Sequence, residues 1–228
     1  MKKNLIRKGS TAMPQNKTDI RKKKIIDTAT KVFSQRGFKE ATISEIAKKA
    51  KISEASIYEY FLTKEGLLFS IPVDASQMLF DTMTFHLKLI RGAANKLRAI
   101  VFLFIDSYQK NPDFAAVLML YLKHNKNFLE TEGHVAIKAG IKQITTVIDQ
   151  GIETGEFKKG TNPYLIRSMI LGTIEHLVTN WVMTGNPDNL EELVDPMIDV
   201  IIQGIENTGN DPVHWSLQRP VKREESSS

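Results

Sequence analysis

Residues 42–65, TISEIAKKAKISEASIYEYFLTKE, constrain this chain more than any other stretch, because they read as two short helices joined by a tight turn. Thr42, with Glu45 three positions on, forms a capping box, in which side chains satisfy the free N–H groups of a helix start. Ile43, Ile46, Ala47 and Ala50 then recur at helical spacing as an apolar stripe. Lys51-Ile52-Ser53 breaks that pattern, and Ser53 can cap a second helix whose buried positions are Ile57 and Phe61. Helices this short are not stable alone. Residues 19–38 supply a third, with Asp19 as its expected cap, an inner face of Ile26, Ala29, Val32 and Phe33, Gly37 as its stop and Phe38 folding back. A short helix, a tight turn and a second helix exposing small and aromatic polar residues fit the major groove of DNA. A DNA-binding module over residues 19–66 is therefore expected, with double-stranded DNA as its partner.

The charge distribution points the same way. Residues 1–66 carry 16 Lys and Arg against 7 Asp and Glu, whereas residues 67–228 carry 15 against 19. A basic end on an acidic body suits a chain that presents one end to a polyanion, the bland alternative being a solvated lysine-rich tail. With no cysteine there is no disulfide framework and no thiolate metal site. No apolar run approaches the roughly 18 residues that span a bilayer. The lysine-rich start lacks the apolar segment of a secretory signal. The expectation is a cytoplasmic protein with no membrane partner.

The remainder reads as helix after helix, an all-α chain of about nine. Residues 1–18 look like a disordered basic arm and 208–228 like a loose tail, leaving 67–207 as one larger helical domain. Thr63 can cap a helix carrying Leu67, Leu68 and Ile71, which Pro72 must bend or interrupt. Residues 94–109 are strongly apolar. Asn111-Pro112-Asp113 should cap a helix to about residue 124, residues 134–153 form another ended by Gly155, and Asn162-Pro163 opens one to about 183. Residues 189–206 form the last. The helices at 164–183 and 190–205 are apolar on almost every side, more than one subunit can hide, so a homodimer is expected.

Enzyme chemistry finds no footing. There is no GxSxG elbow, and the five histidines include no HExxH pair. The stretch 155–161 has the glycine spacing of a phosphate loop, but Thr161 stands where its lysine must be, so it reads as a helix-ending turn. No catalytic residue, metal or cofactor is assigned.

These residues resemble the TetR family of bacterial transcriptional regulators. The resemblance rests on Thr42, Ile46-Ala47, Ile52-Ser53, Ile57-Tyr58-Glu59-Tyr60-Phe61 and Lys64-Glu65, with Ala29, Phe33 and Gly37-Phe38 before them. Lys51 departs from the family's usual glycine, and Glu54 places an acid on the reading helix. The resemblance implies a dimeric regulator, a repressor, whose helical C-terminal domain binds a small ligand and releases a near-palindromic operator. Carried over by position, Thr42, Ser44, Ser56, Tyr58, Tyr60 and Lys64 face DNA. Ser44, Glu54, Ala55 and Ser56 sit where a base edge can be read. Gly172 to Met183 and Leu193-Val194-Asp195-Pro196 look like the acyl-CoA-responsive repressors of fatty-acid degradation. That likeness implies an apolar pocket, for which Phe104, Tyr108, Tyr121, Phe128, Met169 and Trp181 are candidates. Lys123, Lys126 and Arg167 are candidates for the phosphates. The alternatives are a repressor sensing lipophilic cations, with Glu175 as the acid, and a helical lipid-binding module without specific DNA binding.

Overall fold

The computed structural model describes residues 17–209, so the basic arm and the loose tail fall almost wholly outside it. Among these residues nine α-helices follow one another: α1 Lys17–Arg36, α2 Ile43–Ala50, α3 Glu54–Phe61, α4 Lys64–Leu87, α5 Ala93–Lys110, α6 Pro112–Val117, α7 Glu132–Glu153, α8 Pro163–Thr184 and α9 Val194–Ile205. The fold is all-α. An isolated bridge between Phe157 and Glu206 is the one extended pairing among the described residues. No helix there is long and apolar enough to cross a membrane.

The local signals act where the sequence places them. Gly37 closes α1 at φ 82°, a conformation open to glycine without steric cost, and Phe38 folds back with its ring 5.5 Å from that of Phe33. Thr42, Ser53 and Thr63 each accept a hydrogen bond from the backbone N–H three residues on, at 3.1, 3.2 and 2.8 Å, and so start α2, α3 and α4. Asn162 starts α8 in the same way, at 3.2 Å to the Leu165 N–H.

Four expectations are corrected. Asp19 is not a cap: α1 is already under way at Lys17, and Asp19 lies in its first turn. Asn111 makes no side-chain cap; its amide turns back to donate to the Ser107 carbonyl at 3.0 Å. The helix it opens is α-helical only to Val117 and then widens into a π-helical turn, Leu118–Leu122. The last helix is shorter than residues 189–206, a 3-10 turn at Glu191–Leu193 preceding α9. Pro72, for its part, is carried inside a single α4, buried, where its ring meets the start of α7. Gly133 makes that approach possible, since a β-carbon there would stand 2.4 Å from the Phe69 carbonyl oxygen and 2.8 Å from the Pro72 ring.

One continuous core joins the three N-terminal helices to the rest. It runs from Ile25, Phe33 and Ile46 through Leu67, Leu97 and Ile105 to Ile148, Ile170 and Ile198. The two apolar helices divide their surfaces. On α8, Ile166, Ile170, Ile174 and Val178 face inward, while Leu165, Met169, Gly172 and Met183 lie outward. On α9, Val194, Ile198, Ile201, Ile202 and Ile205 are buried and Val200 is 72% exposed.

Candidate nucleic-acid interface and effector cavity

The outer surface of the N-terminal module is made by the start of α2, the outward side of α3 and the first turn of α4. Thr42, Ser44, Glu54 and Ala55 are exposed there, as is Tyr58. Ile57 and Phe61 hold α3 down from beneath. Ser56 is half-buried, and its hydroxyl shares a 2.9 Å hydrogen bond with the capping hydroxyl of Ser53. Tyr60 is also half-buried and packs on the core, so the two tyrosines present different amounts of surface. The Lys64 ammonium donates to the Lys39 carbonyl at 3.1 Å and stands 4.6 Å from the centre of the Phe38 ring. That fixes a cation at the edge of the module.

The capping box is only half made. Thr42 does its part, but the Glu45 carboxylate turns to Lys49 at 2.9 Å and, more loosely, to Arg36 at 3.7 Å. The hydrogen bond from Lys49, ahead of its charge and that of Arg36, holds the Glu45 carboxyl below its usual range. Sequence reasoning did not single out Leu62, which ends α3 at φ 59° with 81% of its surface exposed. Its one sequence signal is position, between two capped helices only two residues apart.

The effector candidates do not form one cluster. Phe104 and Tyr108 are buried on α5 with rings 6.4 Å apart, and Tyr108 stacks in turn on Phe114. Burial, and then the charge of Glu175, raise the Tyr108 phenol well above its ordinary range, so it is a neutral hydroxyl. These three rings, with Leu118, Ile137 and Gly140, line a cavity of about 20 Å³. That is room for roughly one water molecule. Phe128 is buried elsewhere, against Phe69 and edge-on to His134. Met169 lies on the outward side of α8, Trp181 is half-buried, and Arg167 stacks 5.0 Å over Tyr164. Lys123 is bound to Glu175 at 2.7 Å, so each neutralises the other. Tyr121 and Lys126 line a separate groove beside the N-terminal module.

Three contacts tie that module to the helical body. The Ser34 hydroxyl donates to Asp113 at 2.5 Å. Asn125 and Asn127 donate to Glu65, at 3.2 and 3.4 Å. The Tyr121 hydroxyl rests against Gly37. The segment from α6 through the π-helical turn thus touches the cavity through Phe114 and Leu118 and the module through Asp113 and Tyr121. Among the described residues no group of three His, Asp or Glu is placed to hold a metal ion.

Comparison with known proteins agrees with this division. The chain is 29% identical to the fatty acid metabolism regulator protein of Bacillus subtilis over 80% of its own length and 94% of that protein's. The crystal structure of the transcriptional regulator FadR from Bacillus subtilis in complex with stearoyl-CoA superposes with a TM-score of 0.75 at 28% identity, covering 81% of this chain and 99% of that one. The fatty acid degradation regulator FadR from Bacillus halodurans superposes at 0.73 and 28%, covering 80% and 98%. The family model for bacterial regulatory proteins of the tetR family matches residues 25–71, and that for the C-terminal region of YsiA-like proteins matches residues 75–204. Since the second match alone spans more than half the chain, this protein belongs to the tetR family of bacterial regulatory proteins.

Proposed function

We propose that the protein is a dimeric transcriptional repressor that lets go of its operator when a long-chain acyl-CoA fills its C-terminal domain. The observation that carries the reading is the likeness, over nearly the whole of both folds, to a regulator crystallised with stearoyl-CoA. In this reading α3 enters the major groove, with Ser44, Glu54, Ala55 and Ser56 toward base edges. Thr42, Tyr58, Tyr60 and Lys64 donate to phosphates. The outward faces of α8 and α9 bring two copies together, so that two α3 helices reach half-sites about 34 Å apart.

The cavity explains why such a ligand acts as a switch. At about 20 Å³ it is far too small for an acyl chain. The chain enters only by prising apart the packing around Phe104 and Tyr108, and so binds a form other than the one described. A ligand shifts an equilibrium only by preferring one form, and this one must prefer the opened, DNA-incompetent form. The movement passes through Leu118 and the π-helical turn to Tyr121 and Gly37. The Lys123–Glu175 pair counts against a lipophilic cation, because the acid it needs is already neutralised.

Titration of the protein–operator complex with palmitoyl-CoA tests the reading. Release at low micromolar concentration is expected. Gly140→Leu, whose side chain projects toward Phe104, should keep DNA binding and lose release. Release by a lipophilic cation and by no acyl-CoA would overturn the proposal.

A further inference from the structure

Leu62 is the most exposed large hydrophobic side chain among the described residues, at 81%. A single exposed leucine is ordinary. Its backbone is not. Leu62 stands at φ 59°, ψ -44°, and across it the Thr63 N–H donates to the Phe61 carbonyl at 2.6 Å. That is a γ-turn of the positive-φ kind, which is rare and strained.

The surrounding structure imposes the turn. The Leu62 N–H donates to the Tyr58 carbonyl at 3.0 Å and keeps the end of α3 closed. Thr63 at once caps α4, accepting from the Gly66 N–H at 2.8 Å. The Phe61 carbonyl is pressed against α4, since a β-carbon on Gly66 would stand 2.3 Å from its oxygen. Only two residues join the helices, and Leu62 takes the bend between them. In the free protein both features are unfavourable: the backbone is strained, and the side chain gains nothing from burial. A strained residue held in place by its surroundings points to a use outside the fold.

Position says which use. Leu62 follows Tyr58 by four residues and precedes Lys64 by two, and the proposed docking sets both of those against DNA phosphates. We propose that Leu62 is a further DNA-contact residue, its side chain covering the apolar face of a deoxyribose beside the phosphates taken by Tyr58 and Lys64. The proposal rests on the docking of α3 described above and adds a contact of different chemistry. Hydroxyl and ammonium donors hold phosphate oxygens, whereas the C–H surface of the sugar offers them no acceptor. An aliphatic side chain withdraws that surface and its own from water, whatever the base sequence and with no counterion released. Because the turn is already fixed, little backbone freedom is lost on docking.

The test is equilibrium binding of the full-length protein, across salt concentrations, to an operator duplex that the unaltered protein has selected from a random-sequence pool. Leu62→Gly, which accepts positive φ, should melt no lower than the unaltered protein. It should nevertheless bind about tenfold or more weakly, because the dimer loses two apolar contacts. Leu62→Ala, which keeps an L residue in the turn, should bind as weakly. In both variants the salt slope and the preferred sequence should stay unchanged, which separates this contact from that of Lys64. Unchanged affinity in both variants overturns the proposal. So does an affinity loss matched by a fall in the melting temperature of Leu62→Gly, which would give the leucine to the fold, and so does an altered salt slope or sequence preference. A different result is that the unaltered protein selects no operator, or that Lys64→Ala changes neither affinity nor slope. In that case it is the docking of α3 itself that fails.

Discussion

The Tyr121 hydroxyl oxygen lies 3.4 Å from the point where a β-carbon on Gly37 would stand, so the helical body touches the DNA-binding module at the residue that ends its first helix. Gly37 is constrained twice, by this contact and by its φ of 82°. The second constraint is the heavier, because an L side chain in that region is strained whatever the space around it. Gly37→Ala should cost about 1–2 kcal/mol in chemical denaturation. Adding Tyr121→Ala should restore little of it. Full recovery in the double variant would show that crowding, and not the backbone, is responsible.

Lys51 poses the converse case. It ends α2 in the left-handed region at φ 55°, ψ 50°, with its N–H on the carbonyls of Ala47 and Lys48. This accounts physically for the glycine the family usually has there. Lys51→Gly should stabilise the protein by about 0.5–1 kcal/mol, the relief of left-handed strain exceeding the added freedom of the unfolded chain. A lower melting temperature for this variant would count against that balance.

What was legible in the sequence was local. The caps at Thr42, Ser53, Thr63 and Asn162 and the stop at Gly37 concern residues within one turn of each other, and spacing alone exposes them. The distant partners were not legible. Glu156 sits in a stretch readable only as a helix-ending turn. Yet its carboxylate accepts from the N–H groups of Ala93 and Ala94, at 2.6 and 2.8 Å, and so caps α5 from across the chain. The effector candidates share only their residue types, and the fold sends them to different places: Phe104 and Tyr108 to the cavity, Tyr121 and Lys126 to the groove, Met169 to the outer face of α8. A pocket is a property of packing, and no helical period records it.

The division of α8 and α9 into inner and outer faces separates two kinds of substitution. Met169→Asp and Val200→Asp place charge on outward apolar surface and should give a folded monomer, since an interface near 2,000 Å² does not tolerate unpaired charge. Ile201→Asp places it at a position 6% exposed within one subunit and should unfold the chain. Sedimentation equilibrium with circular dichroism distinguishes these outcomes. A folded monomer from Ile201→Asp would mean the faces are misassigned.

His134 gives the fold an acid-sensitive point. Desolvation, and then the charge of Lys138, lower its pKa below the ordinary 6.5, and its ring stands edge-on to Phe128 at 5.6 Å. For a histidine with a depressed folded pKa the unfolded chain binds the proton more readily. Stability is therefore highest above pH 6.5 and falls as pH drops from there through the folded value. Melting temperature measured across that window should decline, and His134→Gln should flatten the decline. Glu45, whose carboxyl is depressed, acts in a separate window: its contribution is present above its ordinary 4.5 and fades as pH falls below it. An unchanged slope near pH 6 in His134→Gln would assign the sensitivity elsewhere.

Lys64 carries the sharpest test of the proposed docking on DNA. Its ammonium uses one donor on the Lys39 carbonyl and keeps others for a phosphate at the edge of the groove. Lys64→Ala should weaken binding to every sequence alike and lower the slope of log affinity against log salt by about 0.9 per half-site, the counterion release of one phosphate contact. Ser44→Ala, by contrast, should change which operator is preferred and leave the slope intact. The Lys64 substitution also removes the cation over Phe38, so thermal melting of the variant must be measured alongside. If melting is preserved and affinity and salt slope are both unchanged, α3 does not enter the groove in the proposed orientation.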